Sequence, residues 1–308
     1  MSQGRRKVLI TGASSGIGAE TARRLDARGD GDLLALLARS LEGLERVAGD
    51  LRGDPLLLDV DVTDRAALGS AIERVEAELG GLDVVVICAA AGAFGPFAEI
   101  NPDDFDRSLD VTFRGAVDTI RAVLDPLERR GGVIVVVGSV AGRVPLPLLS
   151  PYAAAKHALR GFVRSLRCEL RGSGSKVSIC LVDPGPVDTP FWQHASSFDG
   201  RLPPRLRGAY RAEDVAAEIE RLAGRGRGDS AVGAAMELWR VLDLLLPPIT
   251  ERLVGWAAMR SLRLDRGEAA DPELAAPTGK GTIEGGLAGR PSALTAARGV
   301  LERVGLRL

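Results

Sequence analysis

The chain has 308 residues, 45% of them hydrophobic and 26% charged, with a formal net charge of −1. That balance is the one ordinary globular proteins carry, and it lacks the basic excess that a nucleic-acid partner requires. Two His are too few for a His-rich metal site, and no apolar run of about 18 residues marks a membrane span. The polar start Met1–Arg6 has no signal-like apolar core, so a cytoplasmic location is expected. Cys88, Cys168 and Cys180 form no C-x-x-C pair, and read as small buried hydrophobes in a reducing compartment.

Short apolar runs alternate with helical patterns over the first 185 residues. Strands are predicted at Lys7–Thr11, Leu33–Ala38, Leu56–Val60, Asp83–Ala89, Val133–Val137 and Val177–Val182. Helices are predicted at Gly16–Arg28, Leu41–Leu51, Asp64–Leu79 (capped by Thr63 or Asp64), Pro102–Leu109, Val111–Arg130 and Pro151–Arg171. The unbroken run Val84, Val85, Val86, Ile87 implies a strand buried on both faces. The alternation implies an α/β fold: a doubly wound parallel sheet of Rossmann type. A helix at Ala212–Ala223, capped near Glu213 and Asp214, and a last strand at Ala231–Met236 complete a single domain over 5–240. Residues 241–263 read as a helical extension broken at Pro247-Pro248, and 264–308 as a flexible tail.

The first strand runs into Thr11-Gly12-Ala13-Ser14-Ser15-Gly16-Ile17-Gly18, where a helix opens. A diphosphate is attracted to a helix N-terminus by free N–H groups and the dipole, and glycine lets it approach. Ser14 and Ser15 add hydroxyl donors. The second strand ends Leu37-Ala38-Arg39-Ser40. An acidic residue here would hold a ribose 2′-hydroxyl and repel a 2′-phosphate, whereas Arg39 offers the phosphate a fork of donors. NADP(H) is therefore expected over NAD(H).

With 36 Arg against four Lys, and only two Tyr, the pattern Tyr152-Ala153-Ala154-Ala155-Lys156 is rare by chance. Its spacing stacks Tyr152 and Lys156 on one helix face, with Ser150 as N-cap and Pro151 at the first helical position. The helix N-terminus and the ammonium both favour a phenolate, so a lowered Tyr152 pKa is expected. Ser139 stands 13 residues before Tyr152, at the carboxyl end of a central strand, where open sheets place their sites.

Together, T-G-x-x-x-G-x-G at residues 11–18, Ser139 and Tyr152-x-x-x-Lys156 resemble the short-chain dehydrogenase/reductase family, over about residues 5–240. The resemblance implies hydride transfer between nicotinamide and a carbonyl or secondary alcohol. Tyr152 would be the acid/base, Ser139 would polarise the substrate oxygen, and Lys156 would hold the nicotinamide ribose. It also implies cofactor contacts at Gly12, Ser14, Ser15, Gly16, Ile17, Gly18, Arg39, Ala89, Tyr152 and Lys156. Asp61-Val62 matches the adenine-contacting pair, with Asp59 as the competing assignment. Pro184, Val187 and Thr189, in Asp183-Pro184-Gly185-Pro186-Val187-Asp188-Thr189, match the nicotinamide-holding segment. Family members are commonly dimers or tetramers through the helices that begin near Val111 and Pro151.

Two departures stand out. Ile87-Cys88-Ala89-Ala90 occupies the place of an Asn-Asn-Ala-Gly motif, which removes polar bracing. Thr112 replaces a helix Asn that holds a water in the proton relay, and is carried over as a substitute for it. These losses motivate a rival reading, a cofactor-binding protein without turnover; epimerisation or dehydration on the same fold ranks lower. Residues 190–211 read as a lid with Phe191, Trp192, Phe198 and Leu202. With Leu146, Leu148 and Leu149 they suggest a hydrophobic alcohol or ketone as the small-molecule substrate. Leu242–Leu246 with Leu253, Val254 and Trp256 reads as core or oligomer contact, with a membrane-surface helix as the alternative.

Overall fold

The computed structural model describes residues 5–29, 31–191, 196–197, 209–233 and 241–264. Seven parallel strands form the main sheet: β1 (Lys7–Thr11), β2 (Leu33–Ala38), β3 (Leu56–Asp59), β4 (Val84–Ile87), β5 (Gly132–Val137), β6 (Val177–Pro184) and β7 (Asp229–Val232). Their order is β3-β2-β1-β4-β5-β6-β7, so the chain starts at the centre, winds one way, then crosses back and winds the other. The reversal point lies between β1 and β4, which pair Val8 with Val84 and Thr11 with Ile87. Open sheets bind ligands in the crevice at that point, outside the carboxyl ends of the strands.

The helices are α1 (Gly16–Asp26), α2 (Leu41–Gly49), α3 (Arg65–Leu79), α4 (Pro102–Leu109), α5 (Gly115–Arg130), α6 (Ser150–Gly172), α7 (Ala212–Arg225) and α8 (Pro247–Leu264). Two cores result, one on each sheet face. Leu9, Val85, Ile134 and Leu181 join Val75, Ile120 and Val163 of α3, α5 and α6. Val8, Ile10, Val86, Val135 and Val182 join Leu25, Leu44, Val215 and Ile219 of α1, α2 and α7. Side chains alternate across a strand, so only runs apolar at every position can feed both cores. At the predicted start of α3, Asp64 is the cap and accepts from the Ala66 and Ala67 amides.

Several boundaries differ from the sequence expectation. β4 stops at Ile87 because the Cys88 and Ala89 amides turn onto the Thr11 hydroxyl, at 3.2 and 3.4 Å. The predicted helix Val111–Arg130 opens instead with a wide π turn, Asp110–Arg114, continuous with α4. That turn is tied to Ala91: the Thr112 hydroxyl accepts from its amide and donates to its carbonyl, both at 2.9 Å. A polar side chain engaged this way is a recognised setting for a widened turn. The last strand starts two residues early and ends at Val232, since Asp229 is anchored by the Leu181 amide and Arg167. Residues 234–236 of the predicted strand lie outside the described residues.

Cys180 is buried, but Cys168 is exposed on α6. The apolar residues of the extension are not core: Leu244 is 72% and Leu245 68% exposed, and Leu242, Leu246, Leu253 and Trp256 are exposed with them. The break predicted at Pro247-Pro248 is present, between a helical turn at residues 241–245 and α8. Among the described residues no helix is long and apolar enough to cross a membrane, and no cluster of His, Cys, Asp and Glu could hold a metal ion.

Candidate active site

The glycine-rich loop at residues 11–18 is built by close backbone approach. A Cβ on Gly12 would lie 2.8 Å from the Ala89 nitrogen, and one on Gly18 would lie 2.3 Å from the Gly12 oxygen. Gly16, at φ +53°, faces the Thr189 side chain. The loop is therefore packed between the Cys88–Ala89 turn and the segment after β6. Ser15 stands at the N-cap of α1 without a capping side-chain hydrogen bond, and the first turn holds no acidic residue. The amide end of α1 is thus open and fit for an anion. Ser14, Ser15 and Ile17 are partly exposed at its mouth.

The Asn-less motif does not leave the region unbraced. Thr11, fully buried, holds the two amides that follow β4 and takes over the bracing expected to be lost.

Arg39 leaves the end of β2 with its Nε 3.9 Å from an Asp61 oxygen. Arg107, which the sequence did not single out, brings Nη2 to 3.7 Å from the same oxygen. Asp59 is exposed at the end of β3, so of the two carboxylates it is Asp61 that stands beside Arg39. Val62 is buried, and a Cβ on Gly115 would fall 2.6 Å from its methyl. No motif in the sequence identifies Arg107; it is the fold of α4 that brings it to Asp61.

The second constellation lies at the ends of β4, β5 and β6. Ser139 follows β5 after Gly138, and its Oγ accepts from the Ala141 amide at 3.1 Å, capping the single turn Val140–Gly142. That turn lies against α6: a Cβ on Gly142 would be 2.8 Å from the Lys156 carbonyl oxygen. Lys156 is 3% exposed, and its Nζ donates to the Val137 carbonyl at 2.7 Å. The same ammonium lies 5.6 Å from the centre of the Tyr152 ring, within cation–π reach. Ser139, Tyr152 and Lys156 therefore converge.

The entry to α6 differs from expectation. Leu149, not Ser150, is the N-cap, and no side chain caps the helix; the Ser150 hydroxyl is buried without a hydrogen-bond partner. The chain reaches the helix through Leu148, at φ 67° the one described non-glycine residue with positive φ. Its carbonyl accepts from the Gly95 amide at 2.8 Å, which holds a conformation that costs about 1–2 kcal/mol. Strain of this kind concentrates at functional sites.

Proton affinities run against the sequence expectation. Burial pushes the Tyr152 hydroxyl up to about 12, with the Asp183 charge adding to the rise, while a hydrogen bond with Ser139 pulls the other way. The expected lowering fails because desolvation outweighs the helix end, and because Lys156 directs its proton to Val137 rather than to the phenol oxygen. Burial also lowers Lys156 to about 8, against the upward pull of Cys88 and Asp183. Thr112 has its one hydroxyl hydrogen committed to Ala91, which leaves only a lone pair for a water.

Over the site, the Phe191 ring lies 4.9 Å from that of Tyr152, tilted by 49°. It fits against Gly92, where a Cβ would meet its tip at 2.9 Å. Val187 and Thr189 are buried beneath, with the Asp188 amide donating to the Tyr210 carbonyl at 2.9 Å. Ser196–Ser197 pairs in parallel with Ala93–Phe94 beside the cleft. Leu146 and Leu148 are partly exposed and Leu149 is buried. Trp192, Phe198 and Leu202 lie outside the described residues.

Comparison with known proteins follows this geometry. The family model described as short chain dehydrogenase matches residues 6–199. An uncharacterized oxidoreductase of Bacillus subtilis, YxnA, is 33% identical over 253 residues, covering 80% of this chain and 70% of its own. Bovine 3-ketodihydrosphingosine reductase is 27% identical over 271 residues, covering 84% and 80%. An alcohol dehydrogenase from the archaeon Thermococcus sibiricus, solved with 5-hydroxy-NADP, superposes with a TM-score of 0.65 at 29% identity, over 74% of this chain and 95% of that one.

Proposed function

Because the chain belongs to the short chain dehydrogenase family and is an NAD(P)-dependent oxidoreductase, we propose that it uses NADP(H) and acts on the carbonyl or secondary alcohol of a hydrophobic substrate. The observation that carries this reading is the convergence of Ser139, Tyr152 and Lys156 at the carboxyl end of β5. The open amide end of α1 and the close-packed glycines fit the cofactor diphosphate. When bound, the nicotinamide supplies or accepts the hydride. Val187 and Thr189 would hold its carboxamide, and Lys156 its ribose.

In reduction the substrate carbon receives the hydride and its oxygen receives the Tyr152 proton, which leaves the alcohol and a phenolate. Ser139 orients the oxygen. A Tyr152 held near 12 and protonated suits the donor in this direction. The phenolate is stabilised by whatever positive charge enters the cleft beside Lys156.

Arg39 supports the NADP(H) preference. It stands one residue before Ser40, whose Oγ accepts from the Gly43 amide at the start of α2. Gly43 in turn packs on Ser14. The guanidinium, the Ser40 and Ser14 hydroxyls and the start of α2 are thus near one another beyond β2, a set of donors that suits a 2′-phosphate. The structural relative solved with an NADP analogue favours the same choice. Phe191, Leu146 and Leu148 favour an apolar substrate, and the sphingoid-ketone reductase among the relatives points in the same direction. We also place a dimer or tetramer contact on the outer face of α6, where Ala154, Ala158 and Gly161 are exposed, and light scattering of the purified protein tests it.

The test is turnover of long-chain ketones with NADPH, in the native protein and in Tyr152→Phe. The variant is expected to bind NADPH normally and to lose rate by ~1000-fold, within the range for an acid/base group. Equal rates would sink the catalytic assignment. Cofactor binding without turnover in the native protein would favour a second reading, a non-catalytic cofactor-binding role. One observation speaks for it: Thr112 is engaged with Ala91 instead of serving Lys156.

A further inference from the structure

One buried charged cluster is not used by the catalytic reading. Asp183 is the penultimate residue of β6 and is 2% exposed. Arg143 donates Nε and Nη2 to its Oδ2, at 2.8 and 2.7 Å. Arg160 donates Nη1 to the same oxygen at 2.5 Å. Oδ1 has no hydrogen-bond partner among the described residues, and it lies over Gly138, where a Cβ would fall 2.0 Å away.

The origins of these groups matter. Arg143 ends the turn that Ser139 caps. Arg160 stands one helical turn beyond Lys156 on α6. Gly138 immediately precedes Ser139, and Asp183 immediately precedes Pro184. One carboxylate therefore grips both segments that carry Ser139, Tyr152 and Lys156. As a plain staple it is poor design: burying charge costs several kcal/mol per ion, and apolar packing often does as well or better. Two guanidinium groups on one oxygen, with the other oxygen unpartnered, need a further reason.

We propose that Asp183 is a positioning residue, which ties Arg143 and Arg160 together so that the Ser139 turn and the first turns of α6 keep Ser139 and Tyr152 in register with each other. The proposal rests on the catalytic reading of Ser139, Tyr152 and Lys156. A clamp this close also carries an electrostatic consequence. The Asp183 charge raises the proton affinity of both Tyr152 and Lys156. Asp183 is faced by Arg143, Arg160 and Asp229, with Arg164 behind Arg160. Tyr152 is faced by Asp183, and Lys156 by Asp183 and Cys88.

Two variants pull that field in opposite directions. Asp183→Asn removes the negative charge, so the proton affinities of Tyr152 and Lys156 fall and the alkaline limb of kcat for reduction moves to lower pH. Arg143→Gln leaves Asp183 less neutralised, so the limb moves to higher pH. Both are expected to cut kcat by roughly 30-fold, since a displacement of about 1 Å costs on the order of 100-fold. KM and NADPH affinity should stay within about 3-fold of native, because neither residue touches the phosphate loop. Thermal melts with and without NADPH show that each variant is folded and loaded. If Asp183→Asn does not fold, Arg143→Gln decides alone, because it keeps the Asp183–Arg160 pair. A folded variant with native kcat and an unmoved profile overturns the proposal, as do shifts of the same sign in both variants. Activity surviving in Tyr152→Phe would instead overturn the catalytic reading beneath it.

Discussion

The corner between β1, α1 and β2 and the corner between β5 and α6 face the same crevice but are made of different material. The first is backbone: Gly12, Gly16 and Gly18 packed against Ala89, Thr189 and one another, beside a helix end with no side-chain cap. The second is side chain: a buried ammonium bound to a carbonyl, a half-buried phenol beneath Phe191, and a carboxylate holding two guanidinium groups. The backbone corner is finished before any ligand arrives, since its donors need no titration or rotamer change. The side-chain corner stands with Tyr152 raised to about 12 and Lys156 lowered to about 8, a state that incoming positive charge would reverse for the phenol.

The contrast can be broken at the backbone corner first. Gly18→Val would force a side chain into the Gly12 oxygen, which stands 2.3 Å from the Cβ position. Cofactor affinity by calorimetry should fall by up to about 100-fold, consistent with an overpacking cost of about 1–3 kcal/mol at the loop. Unchanged affinity would show that the loop is not the diphosphate site.

At the side-chain corner the comparison is sharpened by pH. Lys156 is held near 8 when folded, below its ordinary 10.5. Between those values the unfolded chain binds more protons, so this group makes stability rise with pH across the window. Relative to Lys156→Met, the native protein should gain about 2 kcal/mol between pH 7.5 and 9.5, at 1.36 kcal/mol per unit above the folded pKa. Urea unfolding of both proteins at the two pH values measures this. A flat difference would mean that the ammonium is not desolvated.

The smallest effect belongs to the rim of the backbone corner. Arg39 is partly exposed, and Arg39→Ala is expected to weaken NADPH binding about 10-fold and to leave NADH unaffected, the scale of one charge-assisted hydrogen bond in partial solvent. An unchanged NADPH/NADH ratio would remove Arg39 from the specificity argument.

Much of this molecule can be read from local chemistry. The spacing of Gly12, Gly16 and Gly18 between a strand and a helix marks a tight backbone turn, and Asp64 marks a cap. The valine-rich run of β4 announces burial on both faces and hence a parallel sheet. The four-residue spacing of Tyr152 and Lys156 places them on one face of α6 whatever surrounds it. These readings hold because they depend on backbone geometry and on neighbours within a turn or two.

What the sequence left undecided came from partners distant along the chain. Ser150 has the composition of a cap, yet Leu148, pinned by Gly95, starts the helix a residue early. Tyr152 sits where a helix end and a lysine should lower its pKa, yet burial raises it. Arg107, Arg143, Arg160 and the Asp183 carboxylate were assigned no role from the sequence, and they meet their partners only through the tertiary fold. The leucines of the extension have a core composition and are exposed. By itself the sequence determined the strand-and-helix alternation, the tight glycine turn after β1 and the placing of Tyr152 and Lys156 on one helix face, since each is set by local geometry. The tertiary structure alone decided the proton affinities and the partners of the buried charges, because desolvation and Coulomb energy depend on every atom that packs around a group, not on its neighbours in sequence.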